Sequence, residues 1–181
     1  MCARSPTFST ERCSEVARLG RGIKDAMPTI EDSIEIKAPV GEVFAALTDP
    51  HRTGEWNPNI IEVRDITEGT TREGTSWRQI AMIAGRKVNL TCRIQRFEPP
   101  YLGELDIAGD QRGRVLTVCR ETSEGTQVTQ SLEFVPPGGM LGQMASTMLQ
   151  PMLRRELAQT LARQRDILER EEGAKSGTRP S

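Results

Sequence analysis

The chain has 181 residues, with 24 Lys and Arg against 25 Asp and Glu, one histidine and a formal net charge of -1. A balance this close to neutral argues against a general nucleic-acid binder, which carries a basic excess or patch, and no apolar run approaches the roughly 20 residues of a membrane span. A single domain of this size buries roughly two thirds of its unfolded surface, so no disulfide or metal staple is needed.

Cys2, Cys13, Cys92 and Cys119 match no zinc spacing and have no histidine cluster beside them, so no metal or cofactor is expected. With no secretion signal, a reduced cytoplasmic setting is the default. Residues 1–26 carry Arg4, Arg12, Arg18, Arg21 and Lys24 among scattered Ser and Thr, without the apolar stretch of a signal peptide. They read as a disordered N-terminal extension. Met27-Pro28 stands directly before the first strand and is a candidate natural start.

Residues 29–37 read as the first strand, with Ile30, Ile34 and Ile36 on one face. Ala38-Pro39 stops it, because proline has no amide proton for a ladder. Val43, Phe44 and Leu47 then fall at helical spacing, giving a short helix one apolar face. Asp49-Pro50 ends that helix, since the residue before proline is pushed out of the α region. Trp56 sits on a second short turn, closed by Asn57-Pro58.

Strands follow over residues 60–66 and 75–83, with Glu68-Gly69 and Glu73-Gly74 as turns and Ala84-Gly85-Arg86 as a hairpin. In the next strand Val88, Leu90, Cys92 and Ile94 share one face and Asn89, Thr91, Arg93 and Gln95 the other. That alternation means an antiparallel sheet with one dry side and one wet side. Pro99-Pro100 breaks the run. Further strands are expected over 101–107, 113–121 and 126–135, the last two joined at Ser123-Glu124-Gly125; Pro136-Pro137-Gly138-Gly139 ends the sheet.

From residue 140 the period becomes helical. Met140, Met144, Met148 and Met152 recur every four residues, with Leu141, Leu149, Leu153, Leu157, Leu161 and Leu168 alongside. Pro151 should kink or divide this helix. Arg154, Arg155, Glu156, Arg163, Arg165 and Asp166 mark a charged face, and residues 173–181 should be a flexible tail. One strand, two small helices, six strands and a long helix make an α+β layer, with residues 27–172 as one domain.

The strand, Ala38-Pro39 corner, short helix, Asp49-Pro50 and Trp56-Asn57-Pro58 together resemble the opening of the START-like, or SRPBCC, ligand-binding superfamily, in its polyketide cyclase/dehydrase-like branch. Gly125-Thr126-Gln127-Val128 resembles that family's Gly-Thr-x-Val signature, and residues 150–155 its final helix; the likeness covers about residues 29–170. The resemblance implies a helix-grip fold: a curved antiparallel sheet of about seven strands wrapped around the long C-terminal helix, with a cavity between them.

His51 is the one available imidazole, and in such a fold its position lies near the cavity rim, where a surface or capping role is expected. No Gly-x-Ser-x-Gly is present to support a triad. Trp56 is expected to pack the small helices against the sheet. Glu104 and Asp106 alternate with Leu105 and Ile107 and should be solvated, which speaks against a paired-carboxylate site. Gln130 shares parity with Val128, Leu132 and Phe134, so its amide should face the dry side and need a partner: a neighbouring strand, a water or a ligand.

The expected ligand-binding set is Trp77, Arg78, Met82, Leu90, Cys92, Leu105, Ile107, Val118, Gln130, Leu132, Phe134, Met144, Met148 and Met152. The methionines suit an irregular apolar shape, although core packing uses the same surface. The first expectation is therefore a cytoplasmic protein, a monomer or weak homodimer, that binds a small hydrophobic molecule such as a lipid, polyketide, isoprenoid or aromatic metabolite. No nucleic acid and no stable membrane insertion are expected. A cyclase or dehydrase, whose cavity folds a reactive chain and excludes water, is the alternative, though no catalytic constellation stands out. A protein-interaction module of the same superfamily is the third.

Overall fold

The computed structural model describes residues 29–83, 85–135 and 139–177, with side chains in the last segment described from residue 150 to residue 176. The extension over 1–26, Met27-Pro28, Ala84 of the hairpin, Pro136-Pro137-Gly138 and the last residues of the tail lie outside the described residues. The elements are β1 (Thr29–Ile36), α1 (Val40–Leu47), a 3-10 turn (Pro50–Arg52), α2 (Thr53–Trp56), β2 (Ile60–Arg64), β3 (Ser76–Ile83), β4 (Arg86–Glu98), β5 (Leu102–Gly109), β6 (Arg112–Glu121), β7 (Thr126–Val135) and α3 (Gly139–Gly177).

The seven strands form one antiparallel sheet in the order β1-β7-β6-β5-β4-β3-β2. The curved sheet, the long C-terminal helix and the two short helices after β1 make the helix-grip fold. Strands β2 to β7 are a meander of sequential neighbours, and β1 returns beside β7. Because β1 and β2 lie at opposite edges, residues 37–59 must cross the full width of the sheet, and the two short helices sit on that crossing.

Turn chemistry sets where the crossing begins. The Ala38 amide bonds back to Ile36 O at 2.9 Å, and Pro39 O then accepts from Glu42 N and Val43 N, each at 3.0 Å, which starts α1. The buried Thr126 hydroxyl donates to Ala38 O at 2.8 Å and ties the corner to the first residue of β7. Gly125 has φ +147, and a Cβ there would meet Ile36 O at 2.3 Å and Lys37 Cα at 2.9 Å. Only glycine lets the two backbones approach this closely.

From the corner, α1 buries Val43, Phe44 and Ala46 against Ile36, Cys119 and Val128 of the sheet and Leu161 and Leu168 of α3. Phe97 packs against Phe44 with ring centroids 5.3 Å apart and planes tilted by 44°. It reaches that face through a bulge in β4: Ile94 pairs with Leu105, but Phe97 pairs with Gly103, so one extra residue resets the parity. Arg52 clamps α2 to α3, bonding Glu55 at 2.7 Å and Glu171 at 2.6 Å, with its guanidinium 5.4 Å from the Trp56 ring centroid.

Helix α3 runs through Pro151 undivided and continues past Glu172 to Gly177, where Lys175 pairs with Glu42. The helix lies along β1, with Glu169 Oε1 accepting from Lys37 N at 2.9 Å. Replacing Gly125 with Ala should destabilise the protein by about 2–4 kcal/mol, through backbone strain and a clash with a carbonyl that cannot yield. Thr126→Val should cost about 1–3 kcal/mol by orphaning Ala38 O. Urea unfolding midpoints, compared at unchanged slope, check both.

Candidate ligand cavity

Strand register decides which side chains face α3. The cross-strand pairs Trp77–Cys92, Gln79–Leu90, Cys92–Ile107, Ile94–Leu105, Leu105–Val115, Val115–Leu132 and Thr117–Gln130 all lie on the inner face. A cavity of about 440 Å³ opens between this face, the crossing from Leu47 to Ile60, and α3 from Leu153 to Gln164. Its sheet wall includes Trp77, Ala81, Leu90, Leu105, Ile107, Val115, Leu132 and Phe134. A second hollow, of about 310 Å³, lies between α1 and α3 and is spanned by the Arg52–Glu171 and Lys175–Glu42 pairs.

The buried polar groups of the wall are uncharged. Among the described residues, every buried polar side chain is a threonine or a glutamine: Thr75, Gln79, Thr117, Thr126, Gln130 and Gln164. Four of them, Gln79, Thr117, Gln130 and Gln164, line the cavity. The Trp77 indole N–H donates to Gln79 Oε1 at 3.1 Å. An indole can only donate, so this bond fixes which way the Gln79 amide points. Gln130 Nε2 donates to Thr117 Oγ1 at 3.3 Å.

Gln164 is 2 % exposed, and its Oε1 has no hydrogen-bond partner among the described residues. An orphaned buried amide oxygen costs about 1–3 kcal/mol. Charge stays at the periphery of the cavity. Arg163, exposed on α3, donates to Trp56 O at 3.4 Å, and Glu156 is half-buried.

Of the expected site residues, Trp77, Met82, Leu90, Leu105, Ile107, Gln130, Leu132 and Phe134 are brought to the cavity. Four are not. Arg78 alternates with the inward Trp77 and Gln79, so it points to solvent and pairs with Asp65 at 3.7 Å. Val118 lies on the outer face opposite Leu102 and Thr129, because the inward residues of β6 are Gly113, Val115, Thr117 and Cys119. Cys92 faces inward but is fully covered in a cluster with Trp77 and Ile94. Met152 is exposed. A strict four-residue spacing drifts roughly 40° per step around a helix of 3.6 residues per turn, so a stripe of that spacing leaves the face that Leu153, Leu157, Thr160 and Gln164 hold. The side chains of Met144 and Met148 lie outside the described residues.

His51 is exposed, with its backbone N–H bonded to Asp49 Oδ1 at 2.9 Å. Trp56 is buried, and it packs the crossing while also lining the cavity. Glu104 and Asp106 lie on the outer face beside Arg114, at 3.1 and 3.8 Å. Sequence reasoning missed Gln79, Thr117 and Gln164. Gln79 shares parity with Trp77, Thr117 shares parity with Cys119, and Gln164 interrupts the Leu157, Leu161, Leu168 seam; those placements were the available signals.

Family comparison agrees with this architecture. The fold and cavity define a helix-grip protein of the SRPBCC type, whose sheet and helix enclose a largely apolar cavity. Residues 27–169 match the model of the family described as polyketide cyclase/dehydrase and lipid transport, and the chain belongs to that family. Compared with curated proteins, the chain has no match.

Among solved structures, it is similar to a polyketide-cyclase-like protein from Corynebacterium glutamicum, at 26% identity and a TM-score of 0.52, over 79% of this chain and 92% of that one. A protein from Chromobacterium violaceum shares the fold at 17% identity and a TM-score of 0.61, over 78% of this chain and 98% of that one. A protein of unknown function from Staphylococcus aureus does so at 12% identity and a TM-score of 0.65, over 84% of this chain and 99% of that one. No helix among the described residues is long and apolar enough to cross a membrane.

Burial pushes the thiols of Cys92 and Cys119 up from 9.0 to about 12. Each stays protonated in the folded protein while the unfolded chain begins to ionise above about pH 9, so the unfolded state binds fewer protons and stability falls as pH rises between the two values. At about pH 8, iodoacetamide should leave Cys92 and Cys119 unlabelled until denaturant is added, because the reacting species is the thiolate. Peptide mass mapping, read cysteine by cysteine, checks this.

Proposed function

We propose that the protein is a carrier or receptor that holds one small, largely apolar molecule between the sheet and α3; a lipid, polyketide, isoprenoid or aromatic metabolite fits this description. The observation that carries the reading is the cavity of about 440 Å³, with an apolar sheet wall and a few neutral polar groups set into it. That size and lining are typical of small-molecule sites, which span roughly 300–1,000 Å³. The family description names lipid transport beside cyclase and dehydrase activity, and the binding reading is preferred over acid–base chemistry because no buried side chain among the described residues is ionisable apart from the two cysteines. Those cysteines are free thiols, which fits a cytoplasmic setting.

A panel of neutral hydrophobic compounds should yield at least one that binds saturably. Held at about 100 times its dissociation constant, it should add about 2.7 kcal/mol to the stability. Ala81→Phe, which places a ring on the cavity wall, should abolish that stabilisation while the unliganded variant still unfolds cooperatively. Calorimetric scans of both proteins with and without the compound test this. A panel without a single thermal shift, or a hit that binds the Ala81→Phe protein equally well, overturns the reading.

A further inference from the structure

The buried polar side chains that line the cavity share one property that the apolar wall does not require: none of them carries a charge, and the charged lining residues Asp49, Glu104, Arg112, Glu156 and Arg163 are exposed or only half-buried. Gln79 comes from β3, Thr117 from β6, Gln130 from β7 and Gln164 from α3. Each glutamine is left with hydrogen-bonding capacity to spare. Trp77 occupies Gln79 Oε1, and the Nε2 hydrogens of Gln79 have no acceptor among the described residues. Gln130 spends Nε2 on Thr117, which leaves its Oε1 without a donor among them. Gln164 Oε1 is buried with no partner at all among them.

Gln164 is the decisive case. On its helix it stands in line with Leu157, Leu161 and Leu168, which pack into the core. A leucine there would complete an apolar seam and leave nothing unsatisfied, so stability does not account for the amide.

We infer that these amides form a charge-free recognition surface, with Gln164 at its centre, that selects an uncharged ligand bearing a hydroxyl or carbonyl and keeps carboxylate anions out of the cavity interior. The inference rests on the proposed binding function and adds the chemical class of the ligand. A hydroxyl suits the surface because it donates to a glutamine oxygen and accepts from a glutamine Nε2 in the same pose. An ionised carboxylate only accepts: the Gln79 Nε2 hydrogens could serve it, but the amide oxygens of Gln130 and Gln164 would oppose it, and no buried Lys, Arg or His is present among the described residues to offset its charge. Arg112 and Arg163, the basic side chains that border the cavity, are exposed.

Three probes that share one carbon skeleton separate the possibilities: farnesol, farnesoic acid and the hydrocarbon farnesene. Each is titrated by displacement of N-phenyl-1-naphthylamine, an uncharged apolar fluorophore, at about pH 8, where the acid is ionised. Farnesol should bind at least about tenfold more tightly than either relative, which is the scale of one satisfied buried hydrogen bond. Gln164→Leu and Gln130→Leu should each lower the farnesol-to-farnesene affinity ratio by at least about threefold. Gln164→Leu should also raise the urea midpoint of the unliganded protein, an effect that a merely structural glutamine would reverse.

If the fluorophore binds but farnesol shows no preference over farnesene, or farnesoic acid binds as tightly as the alcohol, the inference fails and the binding function stands. An unchanged ratio in both leucine variants has the same meaning. If the fluorophore and all three probes fail to bind, the binding function fails with it.

Discussion

The architecture depends on the close approach of two backbones where β1 ends and β7 begins. Gly125 presses against Ile36 O and Lys37, and the Thr126 hydroxyl holds Ala38 O. Neither contact adds much apolar area, yet together they set the direction in which the chain leaves the sheet at Pro39. From there α1 delivers Phe44 and Val43 to the core, and the crossing carries Trp56 to the far side of the sheet. Were that corner to open, the crossing would lose its anchor and the cavity one of its walls. A buried hydrogen bond and a missing methyl group therefore govern a much larger volume of packing.

Inside that frame the interior is divided between a dry core and a cavity. The core lies where α1 and the Leu161–Leu168 part of α3 meet β1, β6 and β7. The cavity lies where α3, from Leu153 to Gln164, faces the inner side of β3 to β7 beyond that core. Gln164 stands at the junction between them. Its neighbours along the helix seam belong to the core, while its amide belongs to the polar set of the cavity. The electrostatic character follows from composition at a few positions. On the outer face Arg78 meets Asp65 and Arg114 meets Glu104; the buried inward polar residues are amides and hydroxyls, and Asp32, opposite Gln130 on the inner face, is exposed. Such a wall satisfies itself partly and leaves the remaining valences to whatever enters.

How much of this could be read from the chain varied with the kind of pattern. The alternation of Val88, Leu90, Cys92 and Ile94 gave the face of β4 directly, and the parity of Gln130 with Val128 and Phe134 placed its amide on the inner side. In β6 the same reasoning had no purchase. Val115, Leu116 and Val118 put apolar residues on both faces, and only pairing with β5 and β7 shows that Thr117 points inward and Val118 outward. The bulge after Ile94, which turns Phe97 onto Phe44, leaves no local mark in the sequence. The methionine stripe was the most conspicuous helical pattern, but a four-residue spacing drifts around the helix, and Met152 ends in solvent.

By itself the sequence determined the order of elements, their turns and the class of fold. Prolines, glycines and local hydrophobic period act on the backbone within a few residues, and their effects survive without knowledge of distant partners. Only the tertiary structure decided which face of an ambiguous strand looks inward, which helical seam meets the sheet, and which amides are left unpaired beside the cavity. Those outcomes depend on register, bulges and sheet curvature, which are set by contacts between residues far apart in the chain.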